Sequence, residues 1–365
     1  MKKVQIMNCL KGEVGMKLKK IAALLLAGAA MLGTLGCGGS SGGDKPAAAD
    51  NKQSLKGKEL VMYVSFHEDT AKDLARLFKE KTGCEVKFIR LPTGEAMARL
   101  MAEKDAPKAD IWLGGTADAH ELAKAQGITE KYVSPNDSMV PEQYRDKDGY
   151  WKGVYLETLS IGVNVARFEK EFAPKGIAMP TKLEDLLNPA FKGEIIMPDP
   201  AKSGTGYTFL SSVLQSMGDE QGWKFLKELK GNVAQLTPSG FTPAQKVGAG
   251  EFLITVNFLS DQTLINNKGQ KLNRTVYPDA GWSMCAVSKL KTTAHDDAAK
   301  AFIDFMLTKE AGDSMAKTAN GIACNPQSTV PQGSKPLNEL PLFAKYDFAK
   351  AGEVKTQLCE KFAAL

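Results

Sequence analysis

Histidine is scarce in this sequence. Three stand in 365 residues, at 67, 120 and 295, too far apart for the paired ligands of a zinc site. The six cysteines, at 9, 37, 84, 285, 324 and 359, include no CxxC pair, which removes zinc ribbons and thioredoxin-like redox centres. Neither GxxxxGKS/T nor GxGxxG occurs, and no GxSxG stands at a strand-to-helix turn. Nucleotide and serine-hydrolase chemistry therefore lack their usual motifs, and the sequence predicts neither an enzyme nor a cofactor. Excess charge is missing too. Six lysines and one glutamate in residues 1–36 account for the whole formal net charge of +5. The remainder is neutral and has no reason to bind nucleic acid, which calls for a basic face. A long apolar run is also absent: Ile21 to Leu35 falls short of the roughly 20 residues of a bilayer-spanning helix.

That short run has a definite build. Lys17, Lys19 and Lys20 precede it and Gly36-Cys37 follow it, as in a secretory signal ending at a cysteine. Residues 1–36 are predicted to be a signal peptide, with Met16 as an alternative start. A small residue before Cys37 resembles the lipobox of bacterial lipoproteins, although Thr34 and Leu35 depart from its usual aliphatic and small residues. Cys37 is accordingly expected to carry a lipid, so that the exported protein is anchored at a membrane. Residues 37–57, rich in Gly, Ser and Ala, read as a flexible tether. Export permits disulfides, but spacing pairs none of Cys84, Cys285, Cys324 and Cys359, and buried free thiols are the other reading.

From Lys58 onward the chain is long enough for two domains. "KELVMYVSF" reads as a strand, and Ala71, Leu74, Leu77 and Phe78 recur at helical spacing before Gly83. "CEVKFIRL", "ADIWLGG", "GVYLETLSIGVN", "EIIMPDP" and "EFLITVNF" continue as strands, with helical stretches between them that include "TKLEDLLNPAFKG". Such alternation predicts α/β architecture with a parallel, helix-covered sheet. Ligands of such sheets lie beyond the carboxyl ends of the strands. Hydroxyl- or glycine-rich turns recur there: Ser65 with His67, Thr93-Gly94, Gly114-Gly115-Thr116, and "SGTG" at Ser203 to Gly206. A helix start offers unpaired N–H groups and the positive end of its dipole, which suits an anion.

The blocks "ADIWLGGTADAHELAKAQGITEKYVSP", "DGYWKGVYLETLSIGVN", "LEDLLNPAFKGEIIMPDPAKSGTGYTFL" and "HDDAAKAFIDFMLTKEAG" resemble the solute-binding proteins of bacterial ABC importers. The nearest branch binds ferric iron, sugar phosphates or 2-aminoethylphosphonate. The resemblance implies a two-lobed periplasmic-binding-protein-like fold of the type II kind, each lobe a mostly parallel sheet flanked by helices. Two crossing strands would join the lobes, "GVYLETLSIGVN" and the stretch around Met284 to Val287. Residues 58–155 plus 286–335 would form lobe 1, 156–285 lobe 2, and 336–365 a helical segment packing on either lobe. It also implies a monomer that passes a small solute to ABC permease and ATPase subunits.

The same resemblance assigns roles. Ser203-Gly204 match a turn that holds phosphate in ferric-binding members. Their adjacent tyrosines after an asparagine are replaced: Asn257 is present, but Leu259 and Ser260 follow, and these cannot supply the hard anionic oxygens that ferric iron demands. Sugar-phosphate members carry a His-Asp pair where this chain has Ser260-Asp261. The expected anion grip is Ser203, Gly204 and Thr205 with Thr93, Gly94 and Ser239, besides Ser65, Gly115 and Thr116. Asp261, Asn257, Ser260 and Glu157 would face the rest of the molecule; Phe66, Trp151, Tyr207 and Phe241 are candidate walls, with burial in the core, the commoner fate of aromatics at strand ends, as the other reading. The implied cargo is a small organophosphate or phosphonate. Ferric iron held through His67, Glu95 and carboxylates, and a polyamine or other small organic solute, remain alternatives.

Overall fold

Apolar residues bury the first strand on both faces: in β1 (Glu59–Ser65), Leu60, Met62, Tyr63 and Val64 are all inaccessible to solvent. Two-sided burial demands helices on both faces, and the chain supplies the first at once. In α1 (Glu68–Thr82), Ala71, Leu74 and Phe78 form the buried stripe, and Gly83 closes the helix in the left-handed region with its N–H on the carbonyl of Lys79. The computed structural model describes residues 55–332, 334–335 and 339–365, so the signal peptide, Cys37 and most of the tether lie outside the described residues. The last part of the expected tether is not loose, however. Leu55 is buried in the core beside Leu60 and Phe78, and its N–H donates to the carbonyl of Thr82.

The alternation expected from the sequence is present. After α1 come β2 (Glu85–Arg90), α2 (Thr93–Ala102), β3 (Ile111–Thr116), α3 (Ala117–Ala125) and the short β4 (Thr129–Glu130). The long β5 (Lys152–Asn164) leads to α4 (Val165–Glu171), β6 (Ile195–Pro198), α5 (Gly204–Met217), α6 (Asp219–Asn232) and β7 (Val233–Thr237). Next are α7 (Thr242–Gly248), β8 (Ile254–Phe258), α8 (Leu259–Asn267), β9 (Leu272–Thr275) and β10 (Trp282–Leu290). The chain ends with α9 (Asp296–Met306), α10 (Lys309–Ala319), β11 (Ile322–Ala323) and α11 (Phe348–Ala363). One stretch departs from expectation: residues 181–193 form two 3₁₀ turns, Leu183–Leu187 and Pro189–Phe191, in place of one helix. Pro189 cannot donate the hydrogen bond that a continuous helix needs there.

The strands line up as β2-β1-β3-β10-β5-β8-β6-β7. β1 runs parallel to β2 and β3, and β6 runs parallel to β7 and β8, so each end of the sheet is a parallel group of three. β5 and β10 join these groups. β5 is buried at all 13 positions; its first part pairs antiparallel with β10, from Val287↔Lys152 to Trp282↔Thr158. Its second part pairs with β8, from Leu159↔Phe258 to Val163↔Ile254. The first half thus contains β1 to β3 and the second β6 to β8. The C-terminal segment does not choose between them, since α11 packs against both α3 and α5. Among the described residues no helix is long and apolar enough to cross a membrane.

Candidate functional site

The carboxyl ends of β1, β2, β3, β6, β7 and β8 point at one cavity between the two halves of the sheet. Five helices of nine or more residues begin at its wall, because each follows one of those strands directly. His67, Thr116, Ser203 and Phe258 are the residues preceding α1, α3, α5 and α8, and Thr93 is the first residue of α2. Five helix N-termini therefore surround one small volume, with the Gly94 N–H of α2 and the Gly206 N–H of α5 already bonded within the protein.

Two glycines shape the floor. Gly114 and Gly115 both adopt φ +79°, a left-handed conformation that costs glycine little. A Cβ on Gly115 would lie 2.9 Å from the Trp112 ring. Trp112 donates to Ser65 Oγ at 2.9 Å, and its ring stacks 4.2 Å from that of His120. His120 lies between Gly114 O (2.8 Å) and Ser288 Oγ (2.7 Å), and burial pushes its pKa down to about 4. It is a neutral core histidine supporting the β3 turn.

The hydroxyls come from both sides. Thr93 and Thr116 belong to the first half, Ser203, Thr205 and Ser239 to the second. Gly204 is the thin point between them: a Cβ there would sit 2.8 Å from Thr116 Oγ1 and 2.9 Å from Thr93 Oγ1. Ser203 Oγ accepts a long bond of 3.4 Å from Gly206 N–H, while Thr116 Oγ1 is buried with no partner. An orphaned buried hydroxyl costs free energy until something bonds to it. Arg90, at the end of β2, brings a full positive charge to the same wall; Nη2 lies 3.4 Å from Ser239 Oγ, and Nε donates to Phe66 O at 3.3 Å.

An acidic group stands across the cavity. Asp261 in the first turn of α8 takes His67 Nε2 on Oδ1 at 3.0 Å and Asn257 Nδ2 on Oδ2 at 3.1 Å. His67 also meets Phe241 edge-on at 4.7 Å. Glu157, on β5, accepts from Ser260 Oγ at 2.5 Å, and burial together with the Asp261 charge raises its carboxyl well above the ordinary range. Bonds between the halves include His67–Asp261, Arg90–Ser239 and Gly94 N–H to Lys202 O at 2.8 Å.

Of the residues named from sequence, Ser65, His67, Thr93, Gly115, Thr116, Glu157, Ser203, Gly204, Thr205, Ser239 and Asp261 line this cavity. Three do not. Gly94 spends its amide on Lys202, and a Cβ there would strike the Ala201 carbonyl. Asn257 is consumed by Gly240 O, Asp261 and Gln262. Ser260 turns to Glu157 and, with Leu259, borders a separate small cavity. The residue pair in the tyrosine positions therefore stays out of the main cavity. Among the wall aromatics, Phe66 and Phe241 line it, whereas Trp151 bonds Glu121 and Tyr207 bonds the Ala351 carbonyl, both inside the core. Sequence reading missed Arg90, Tyr155, Phe258 and Cys285; Arg90, three residues before Thr93 at a strand end, was the recoverable one. Cys84, Cys285, Cys324 and Cys359 are all free, and burial raises every thiol, those of Cys84 and Cys359 to about 11.

A family model of bacterial extracellular solute-binding proteins matches residues 106–351. The chain belongs to that family. A Haemophilus influenzae protein of uncharacterised function is 34% identical over 325 residues, 86% of this chain and 92% of that protein. The periplasmic binding protein AfuA from Actinobacillus pleuropneumoniae, solved with fructose 6-phosphate, superposes with a TM-score of 0.81 at 32% identity, covering 85% of this chain and 98% of that one. Iron-bound HitA from Pseudomonas aeruginosa shares the fold at a TM-score of 0.73 and 20% identity, over 84% of this chain and 99% of that one. The protein is thus a type II periplasmic binding protein, the solute-binding component of an ABC importer family, with the two-lobed α/β fold that its resemblance implied. Its family partners are a small solute and an ABC permease.

Proposed function

We propose that the protein captures a small organic solute bearing a phosphate or phosphonate and hands it to an ABC permease, while tethered to the membrane by a lipid on Cys37. One observation carries the choice of an anion: five helix starts, the Arg90 guanidinium and the unpartnered Thr116 hydroxyl all meet at one cavity. In a small, partly enclosed site each hydrogen bond to a charged oxygen is worth about 1.5–3 kcal/mol. Ser203, Gly204, Thr205, Thr93, Thr116 and Arg90 hold the anion, and Asp261 and Glu157 meet the remainder of the solute. Residues 58–155 plus 286–335 act as one lobe and 156–285 as the other, with ligand between them. The phosphorylated sugar in AfuA favours the same class.

The decisive experiment is a thermal-shift and calorimetry panel of fructose 6-phosphate, glycerol 3-phosphate, 2-aminoethylphosphonate, inorganic phosphate, spermidine and ferric citrate. A ligand at 100 times its Kd adds about 2.7 kcal/mol to stability. A shift with at least one organophosphate or phosphonate is expected. A shift with ferric citrate or spermidine alone refutes the anionic-solute reading. Replacing Cys37 by serine is expected to move the protein from the membrane fraction to the soluble one.

A further inference from the structure

Two helices that begin at the cavity, α3 and α5, belong to different halves of the sheet, and α11 binds the opening turn of each. Asp118, two residues after Thr116, is fully buried, and its Oδ2 accepts from Lys355 Nζ at 2.7 Å. Tyr207, four residues after Ser203, is also fully buried; its hydroxyl donates to the carbonyl of Ala351. The Lys355 ammonium lies 4.2 Å from the centre of the Tyr207 ring. One side chain of α11 thus touches both helices. Its backbone is as close: a Cβ on Gly352 would lie 2.8 Å from the Asp118 carbonyl and 2.9 Å from Glu121 Cβ.

The attachments differ in kind: α3 packs closely along α11, whereas the second half is tied to it mainly by hydrogen bonds at its two ends. On the α5 side, Gln215 bonds the backbone of Asp347 in both directions, Cys359 Sγ donates to Pro200 O at 3.4 Å, and Lys230 donates to the carbonyls of Phe362 and Ala363. On the α3 side the Lys355–Asp118 pair and the Gly352 contact recur, and Asp118 Oδ1 has no partner. A buried ion pair with an unsatisfied oxygen contributes little net stability, because desolvation offsets attraction. Such a pair is better suited to fixing geometry.

We infer that α11 is a strap that sets the spacing between the N-termini of α3 and α5, with Lys355 as the positioning residue that brings Thr116 and Ser203 to bear on one anion. The ligand half of this inference rests on the anionic-solute reading; the spacing half stands without it. Lys355 lies outside the cavity lining and acts through the two helices.

The test uses the Asp118→Asn/Lys355→Met double variant, which leaves neither charge buried alone, with Lys355→Arg as the conservative rescue. Gly352→Ala, which pushes the strap off α3 without changing charge, guards against a double variant that fails to fold. Hydrogen exchange of the ligand-free full chain is read at residues 117–121 and 204–208. Exchange at least tenfold faster in both stretches is expected for the double variant and for Gly352→Ala, and near-native exchange for Lys355→Arg. Acceleration confined to residues 348–363, or spread evenly over the chain, overturns the strap. Titration with fructose 6-phosphate and inorganic phosphate is expected to show at least tenfold weaker binding in the double variant and recovery in Lys355→Arg. Unchanged affinity overturns the coupling to the site. If the native protein binds neither of these, the titration uses whichever phosphate or phosphonate of the panel shifts its melting temperature; if none does, the anionic-solute reading fails and the exchange pattern alone decides the strap.

Discussion

Replacing Arg90 by glutamine separates the charge of the cavity from the stability of the fold. Arg90 is half-buried, and its two protein bonds are long, 3.3 Å to Phe66 O and 3.4 Å to Ser239 Oγ. Bonds at that length are weak, so their loss costs the unliganded fold less than about 1 kcal/mol. With a phosphate in the cavity the guanidinium gives a charge-assisted bond of about 1.5–3 kcal/mol, and glutamine restores a neutral one of about 0.5–1.5 kcal/mol. The difference, about 1–2 kcal/mol, corresponds to a Kd weaker by roughly 5- to 30-fold. Isothermal titration with fructose 6-phosphate reads the affinity, and the melting temperature of the free protein reads the fold. An unchanged Kd at an unchanged melting temperature refutes the role of Arg90 in holding the anion. A melting temperature that falls without ligand by an equivalent amount makes the residue structural instead.

Gly204→Ala is expected to abolish phosphate binding and to cost the fold about 1–3 kcal/mol of overpacking, since the added methyl lies 2.8 Å from Thr116 Oγ1 and 2.9 Å from Thr93 Oγ1; near-native affinity by calorimetry contradicts the cross-cavity contact. Ser203→Ala removes the long N-cap bond, at the low end of the usual range, about 0.5 kcal/mol, and is expected to weaken phosphate at least tenfold; equal affinity removes this turn from the site. Burial and Asp261 raise Glu157 above its ordinary 4.5 in the folded state, so the native protein retains a proton that the unfolded chain releases. That contribution is fully present below the unfolded value and is lost as pH rises through the folded one. Glu157→Gln is therefore expected to flatten the decline of melting temperature with rising pH and to be the more stable form at neutral pH; parallel profiles refute it.

The parallel groups were legible because their inner strands β3, β6 and β8 are buried along their whole length and punctuated by glycine and proline, as in "ADIWLGG" and "EIIMPDP". The turns at Thr93, Thr116 and Ser203 were legible for a related reason, since a hydroxyl at a strand end signals a helix start. Direction was not. Ser260 and Asp261 are neighbours in sequence, yet Asp261 lines the cavity while Ser260 does not and spends its hydroxyl on Glu157. That divergence follows from helical geometry at the start of α8, where successive side chains leave about 100° apart, at 3.6 residues per turn. Trp151 and Tyr207 were misread because an aromatic near a strand end is drawn to the core unless another contact holds it out. Leu55 was misread because a single apolar residue at the end of a polar tether gives no periodic signal, although the core beside Phe78 has room for it.

HitA shows how little the scaffold fixes: a protein solved with iron shares this fold at 20% identity, so the ligand is written in side chains at the strand ends. Here those side chains pose an electrostatic question for the proposed function, because two carboxylates stand opposite the proposed anion grip. Ionised together and unpaired, they would repel a phosphate bound in the same cavity. The structure removes both objections by different means. Glu157 is held toward its neutral form by burial and by its neighbour, and Asp261 has both oxygens engaged, one by His67 and one by Asn257. Each carboxylate is therefore either held toward neutrality or hydrogen-bonded on both oxygens. On the proposed anionic-solute reading, the acidic wall then acts as a set of hydrogen-bonding groups, and the His67 bond to Asp261 Oδ1 is the contact that this reading requires to persist when the solute binds.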